Sequence, residues 1–175
     1  MPISFDAATR TFKLDTATST YMIRVYDEGY LLNLYYGAKI PDSYVPDREQ
    51  LTPNASFSAA NPVIGEHGFT PDTAPMEYGA FGAGDMRISA LMVRNEQGDS
   101  VTDIRYAGYK IYAGKPPIPG QPSTYVEQED DAATLELTTV DQVTGLKVTL
   151  YYTVFTKLGV MTRRVRAENG GVQQL

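Results

Sequence analysis

Apolar and polar positions alternate most regularly over 146–155. There Leu146, Val148, Leu150, Tyr152 and Val154 interleave with Lys147, Thr149, Tyr151, Thr153 and Phe155, the period of a half-buried strand. A strand over 134–140 precedes it across Asp141-Gln142-Val143-Thr144-Gly145, and one over 160–167 follows across Thr156-Lys157-Leu158-Gly159. Three strands joined by short turns predict an antiparallel meander. Upstream, 21–26 leads through Asp27-Glu28-Gly29 into 30–36, a hairpin whose last loop residue takes the left-handed conformation that glycine adopts without a Cβ penalty. Strict alternation in its second strand would put Tyr30, Leu32, Leu34 and Tyr36 on one face and Asn33 opposite. A strand over 89–94 is expected to meet 101–106 across 95–100, with 109–112 extending the second strand after an interruption at Gly108. The prolines of Gly114-Lys115-Pro116-Pro117-Ile118-Pro119-Gly120 impose a loop. Over 127–133 a single helical turn competes with an exposed loop, and no helix of 12 residues or more is expected. The fold class is all-β, with two packed antiparallel sheets forming a sandwich; a barrel is the alternative.

Two stretches stand outside this pattern. Over 39–75, Pro41, Pro46, Pro53, Pro62, Pro71 and Pro75 recur with few apolar runs. An irregular connection of that length serves a site or an interface more often than a plain linker, and a linker would leave Tyr44, Phe57 and Phe69 in solvent. At the other end, Glu168-Asn169-Gly170-Gly171 is a turn signal after a strand that has no return partner. The chain is therefore expected to be a truncated portion of something longer.

Composition narrows the function classes. The 175 residues suit one sizeable core rather than two, and 13 Tyr with no Trp suit strands and partly exposed sheet faces. With 15 basic against 21 acidic residues the net charge is -6, a poor balance for nucleic-acid binding, which relies on clustered Lys and Arg. The one tight basic group is Arg163, Arg164 and Arg166; on a strand the last two share a face and Arg163 points the other way. There is no Cys, so disulfides, thiolate metal sites and a cysteine nucleophile are excluded. The start has no signal-peptide pattern, and no stretch reaches the roughly 20 apolar residues of a membrane span. A soluble, cytoplasmic protein without membrane contact is expected, with Asn54-Ala55-Ser56 a chance glycosylation match.

Catalytic motifs are tested and mostly not found. His67 is the sole histidine, so paired-histidine zinc motifs fail, and no Gly-x-Ser-x-Gly elbow supports a triad around it. Gly79-Ala80-Phe81-Gly82-Ala83-Gly84-Asp85-Met86-Arg87 lacks the Lys-Ser or Lys-Thr pair of a phosphate loop. Its glycines are expected to allow a sharp backbone path. Asp85 and Arg87 form either an ion pair that holds this turn or a carboxylate and guanidinium fork presented to polar hydroxyls. Glycoside cleavage needs two facing carboxyl groups, yet spacing singles out no pair among Glu77, Asp85, Asp103, Glu127 and Glu136. No catalytic residue, metal ligand or cofactor is assigned. Tyr35, Tyr36, Tyr78 and Tyr151 are the candidates for a sugar-stacking platform.

An ordered set of segments carries a family likeness. Met1-Pro2-Ile3-Ser4-Phe5-Asp6 opens the chain, followed by Gly29-Tyr30-Leu31-Leu32-Asn33-Leu34-Tyr35-Tyr36-Gly37 and Glu77-Tyr78-Gly79-Ala80-Phe81-Gly82-Ala83-Gly84-Asp85-Met86-Arg87. Then come Val101-Thr102-Asp103-Ile104-Arg105-Tyr106, Tyr109-Lys110-Ile111-Tyr112-Ala113-Gly114-Lys115-Pro116, the 146–155 strand and Thr162-Arg163-Arg164-Val165-Arg166-Ala167-Glu168-Asn169. In order and position this resembles the N-terminal region of bacterial α-galactosidases of glycoside hydrolase family 36, over nearly the whole chain. The resemblance implies a β-sandwich of the galactose-mutarotase-like supersandwich type over 1–175, preceding a (β/α)8 catalytic barrel that is absent here. It also implies retaining hydrolysis of terminal α-galactosides such as melibiose and raffinose by two barrel aspartates, with the front domain supporting the barrel and shaping the active-site entrance. The partners implied are the chain's own barrel, the other subunits of a tetramer, and α-galactoside oligosaccharides; the 39–75 stretch is the candidate for reach toward a neighbour. Asp85 and Arg87 match the family's Gly-Asp-aromatic-Arg turn, with Met86 in place of the aromatic and Ile88-Ser89 in place of Ser-Pro. An autonomous carbohydrate-binding sandwich and a purely structural assembly domain are the alternatives.

Overall fold

The structure is a computed structural model and describes residues 2–42 and 71–172. The expected 39–75 connection, Asn54 and His67 fall largely or wholly outside these residues. Eight strands form two four-stranded sheets, each a simple antiparallel meander. The first sheet contains β1 (Ile3–Asp6), β2 (Thr11–Asp15), β3 (Ser19–Val25) and β4 (Leu31–Ala38); the second contains β5 (Ile104–Ala113), β6 (Ala132–Asp141), β7 (Leu146–Phe155) and β8 (Val160–Asn169). One apolar cluster joins them, with Phe12, Leu14 and Ile23 from the first sheet meeting Leu135, Leu137, Val148, Leu150 and Tyr152 from the second. A shared core between two sheets is a sandwich. Phe5 and Phe12 of the first sheet also meet the Tyr109 ring of the second, at centroid distances of 4.9 and 5.0 Å, within the range of favourable aromatic pairs.

Short polar turns set the register. Asp6 accepts from Ala8 N at 2.9 Å and from the Thr9 hydroxyl at 2.8 Å, turning β1 into β2. Asp141 accepts from Val143 N and Thr144 N with one oxygen, and from Asp103 N with the other at 2.9 Å. It thus closes the β6–β7 turn and anchors the approach to β5. Gly29 ends the short 3-10 turn between β3 and β4 with φ +83°, the left-handed geometry expected for it.

The 146–155 strand has the bounds read from its alternation, and β6 and β8 flank it as a meander. Its second face differs from expectation. Thr149, Tyr151, Thr153 and Phe155 are buried as well, so β7 is central and covered on both sides. The 109–112 segment does continue 104–106, within one strand that bulges between Tyr106 and Gly108.

Three other expectations are corrected. Residues 89–94 form no strand with 101–106, because their backbone is bonded to the glycine turn instead: Ala90 N donates to Gly79 O at 2.9 Å, and Phe81 N donates to Leu91 O at 3.0 Å. The β4 alternation breaks at a bulge. Asn33 opposes Ile23 while Tyr35 opposes Met22, leaving Leu34 as the extra residue. Before the bulge the expected faces hold, with Leu32 packed beside Tyr30 and Ala74 and Asn33 on the opposite face toward the second sheet; beyond it Tyr36, paired with Tyr21, changes to the face of Asn33. Strands β1 and β2 were not anticipated: each is only four or five residues long, with polar residues at alternate positions and little apolar signal.

Leu137 has no exposed surface and sits in the shared core. Leu137→Ala is expected to lower the unfolding free energy by about 2–5 kcal/mol, read from urea denaturation midpoints. A change below about 1 kcal/mol would place this residue outside a packed core.

Candidate functional site

The most heavily bonded polar group bridges the sheets. Residues 75–77 lie along the β4 edge, with Asn33 N donating to Pro75 O at 2.7 Å and Glu77 N donating to Leu31 O at 2.8 Å. That placement drives the Glu77 side chain inward, where its accessibility is 1%. Two tyrosine hydroxyls donate to the carboxylate: Tyr21 to Oε2 at 2.6 Å and Tyr152 to Oε1 at 2.6 Å. Asn33 Nδ2 donates to Oε2 at 3.1 Å, and Arg163 Nη2 donates to Oε1 at 2.6 Å. Tyr21 and Asn33 belong to the first sheet, Tyr152 and Arg163 to the second. Asn33, paired with Ile23 ahead of the bulge at Leu34, shares the inward face that reaches the carboxylate.

The electrostatics follow from this packing. Burial raises both the Tyr21 and Tyr152 hydroxyls well above the ordinary tyrosine value, and the adjacent Glu77 charge raises them further. Burial opposes the Arg163 charge, yet Glu77 together with Tyr152 and Tyr21 outweighs it and holds the guanidinium above its ordinary value. A carboxylate saturated by four donors stabilises its own charge and presents no oxygen to a substrate. Glu77 is therefore a cross-sheet clasp.

Asp85 and Arg87 are brought together as a bidentate pair. Arg87 Nε meets Oδ1 and Nη2 meets Oδ2, each at 2.8 Å, while Arg87 N donates to Oδ1 at 3.0 Å. Nη2 also donates to Pro71 O and Ala74 O, both at 2.8 Å. The guanidinium thus ties the glycine turn to 71–74. Burial would raise the Asp85 carboxyl, but the Arg87 bonds win and hold it below its ordinary value. Gly82 is required here: at φ +90°, a Cβ would lie 2.8 Å from the Val101 Cα.

The remaining candidates separate. Asp103 pairs with Arg105 at 2.6 Å, whose guanidinium stacks 3.8 Å over Tyr30. Glu136 accepts from the Tyr112 hydroxyl at 3.3 Å. Tyr112 is pushed up to about 12, by burial first and then by Glu136. Among the tyrosines considered for stacking, Tyr151 is buried beneath Arg164 at 3.8 Å, Tyr35 bonds Ala38 O, and Tyr36 is 68% exposed. As expected for a strand, Arg163 points opposite to Arg164.

Sequence reading ranked Asp85 and Arg87 above Glu77. The signal for Glu77 was absent, since its four partners are scattered over 21–163 and meet only in the folded sandwich.

Four outcomes are expected. Glu77→Ala should cost about 3–5 kcal/mol, because it strands two buried hydroxyls and a partly buried guanidinium; a urea midpoint within error of the parent would refute the clasp. Stability should be fully present below pH 10, the ordinary tyrosine value, and fall as pH rises above it, since the unfolded chain releases the Tyr21, Tyr152 and Tyr112 protons while the folded chain retains them. Tyr21→Phe should make that alkaline slope shallower in thermal melts between pH 9 and about 12, and an unchanged slope would exclude Tyr21 as a contributor. Arg87→Ala should lower stability by roughly 1–2 kcal/mol, with amide exchange rising over 71–74 and 79–87; unchanged exchange there would show the turn is held by other contacts.

Known proteins resemble this chain along its whole length. Residues 29–175 match the model of the glycosyl hydrolase family 36 N-terminal domain. The α-galactosidase AgaA of Geobacillus stearothermophilus is 37% identical over 175 residues, which is 100% of this chain and 24% of that protein. The crystal structure of the family 36 α-galactosidase AgaB from the same organism superposes with a TM-score of 0.90 at 39% identity, over 99% of this chain and 23% of that one. An AgaA variant from that organism, in complex with raffinose, gives 0.87 at 39% identity over 93% and 22%. The chain thus spans about a quarter of the length of these relatives. Fold and sequence agree, and the chain belongs to glycoside hydrolase family 36 as an N-terminal domain.

Proposed function

We propose that this chain is the noncatalytic front domain of a retaining α-galactosidase acting on terminal α-galactosides such as melibiose and raffinose. In this reading it supports the catalytic barrel and the oligomer and shapes the active-site entrance. The observation that carries it is full-length similarity to α-galactosidases of which the chain covers only about a quarter. The raffinose complex of one such relative supports the substrate class. The side-chain geometry supports the noncatalytic role. Retaining glycosidases need two carboxyl groups about 5–5.5 Å apart and open to the glycosidic bond, whereas Glu77 is consumed by two tyrosines, an asparagine and an arginine. Asp85 is likewise consumed by Arg87.

The test compares two proteins on a chromogenic α-galactoside and on raffinose. The 175-residue chain should release no product above a no-protein control, while the longer enzyme built on it should hydrolyse both substrates with retention of configuration. Hydrolysis by the chain alone would overturn the noncatalytic assignment, and a longer enzyme inactive on both would overturn the substrate class.

A further inference from the structure

The loop after β5 and the outer face of the second sheet together line a partly open cavity of about 180 Å³. Its lining includes Lys115, Ser123 and Thr124 from the loop, and Tyr151, Thr162 and Arg164 from β7 and β8. The volume is well below the roughly 300–1,000 Å³ of pockets that hold whole small molecules. It suits a single functional group.

The charge in this cavity is one-sided. Lys115 Nζ is shielded from solvent and makes no hydrogen bond. Arg164 lies flat on the Tyr151 ring at 3.8 Å, and no carboxylate pairs with either cation among the described residues. Glu136 stands opposite Tyr151 across β6 and β7, but it accepts from Tyr112 and does not line the cavity. Burial and the Arg164 charge together lower the Lys115 ammonium from its ordinary value. Thr134 donates to Gly114 O and shares a hydrogen bond with Thr153, which leaves the Ser123, Thr124 and Thr162 hydroxyls as neutral donors on the lining. A buried ammonium without an acceptor is costly. A second cation beside it makes a bound anion the natural compensation.

We propose that this cavity is a binding site for a small oxyanion, held between the Lys115 ammonium and the Arg164 guanidinium with the surrounding hydroxyls as further donors. Rotation about the last torsions of the Lys115 stem carries the ammonium from its packed position onto the ligand. The same chemistry fits a free ion, such as phosphate, or the carboxylate of an acidic side chain outside this domain in the longer enzyme. The second source rests on the functional reading above; the site itself does not.

Titration of the chain with inorganic phosphate at constant ionic strength, followed by heteronuclear NMR, tests the site. Saturable shifts are expected at Lys115, Ser123, Thr124, Thr162 and Arg164. Lys115→Met preserves the aliphatic stem and should weaken phosphate binding by roughly tenfold or more, the loss of one charge-assisted contact. Arg164→Gln should weaken it similarly, and Lys147→Met, an exposed lysine on the same strand as Tyr151, should leave it unchanged. Shifts spread over all lysines and arginines, no saturation, or equal binding by Lys115→Met would overturn the proposal. In the longer enzyme, phosphate binding at the same residues identifies a free-ion site. Lack of binding there, alongside saturation in the chain alone, identifies a pocket already filled by a carboxylate.

Discussion

The constraint on which the rest of this sandwich depends is the placement of one carboxylate between two sheets. Antiparallel meanders hold themselves together by backbone ladders, but nothing in a ladder fixes how one sheet sits on another. Apolar packing does so only loosely, since it is non-directional. Glu77 adds direction. Its oxygens are met from the first sheet by Tyr21 and Asn33, and from the second by Tyr152 and Arg163. Each donor has a fixed geometry, so the sheets cannot slide without breaking several bonds at once. Taking a charge out of water is unfavourable unless its partners are complete, and here the set is complete.

This clasp explains features that look unrelated along the chain. The regular pairing of 31–33 with 23–25 points Asn33 at Glu77, ahead of the bulge at Leu34. Pairing of 75–77 with the β4 edge aims Glu77 inward. The Asp85–Arg87 pair, through Pro71 O and Ala74 O, holds the segment that delivers Glu77. A surface turn and a buried carboxylate thus belong to one structural chain of cause.

The legible parts of the sequence were those governed by local rules. The β6–β7–β8 meander follows from alternation and short turns, the Gly29 turn from the left-handed conformation, and the 114–120 loop from its prolines. The rest was decided by partners far away in sequence. Alternation over 30–36 placed Tyr30, Leu32 and Asn33 on the right faces and failed at Tyr36, because one bulged residue inverts the faces beyond it. Residues 89–94 have strand-like composition but bond to 79–81, a choice that composition does not encode. Glu77 was one carboxylate among several, and its donors lie up to 86 residues away. Asp85 and Arg87 were found because they are two residues apart and suggest a pair directly.

The two cationic environments of β8 show what a charge-paired site and an open one look like in the same strand. Arg163 is half-buried and pairs with the Glu77 carboxylate beside the Tyr21 and Tyr152 rings. Arg164, its neighbour, faces outward beside an ammonium that has no acceptor. Both lie on polar, tyrosine-rich surfaces, so residue type alone does not separate them. The difference is the charge balance. The inner site contains its own anion, while the outer one presents cations and hydroxyl donors around a cavity sized for a single group. An anion in that cavity would satisfy the outer face as Glu77 satisfies the inner one, which makes charge balance, rather than pocket size or aromatic content, the property that marks this surface for a ligand.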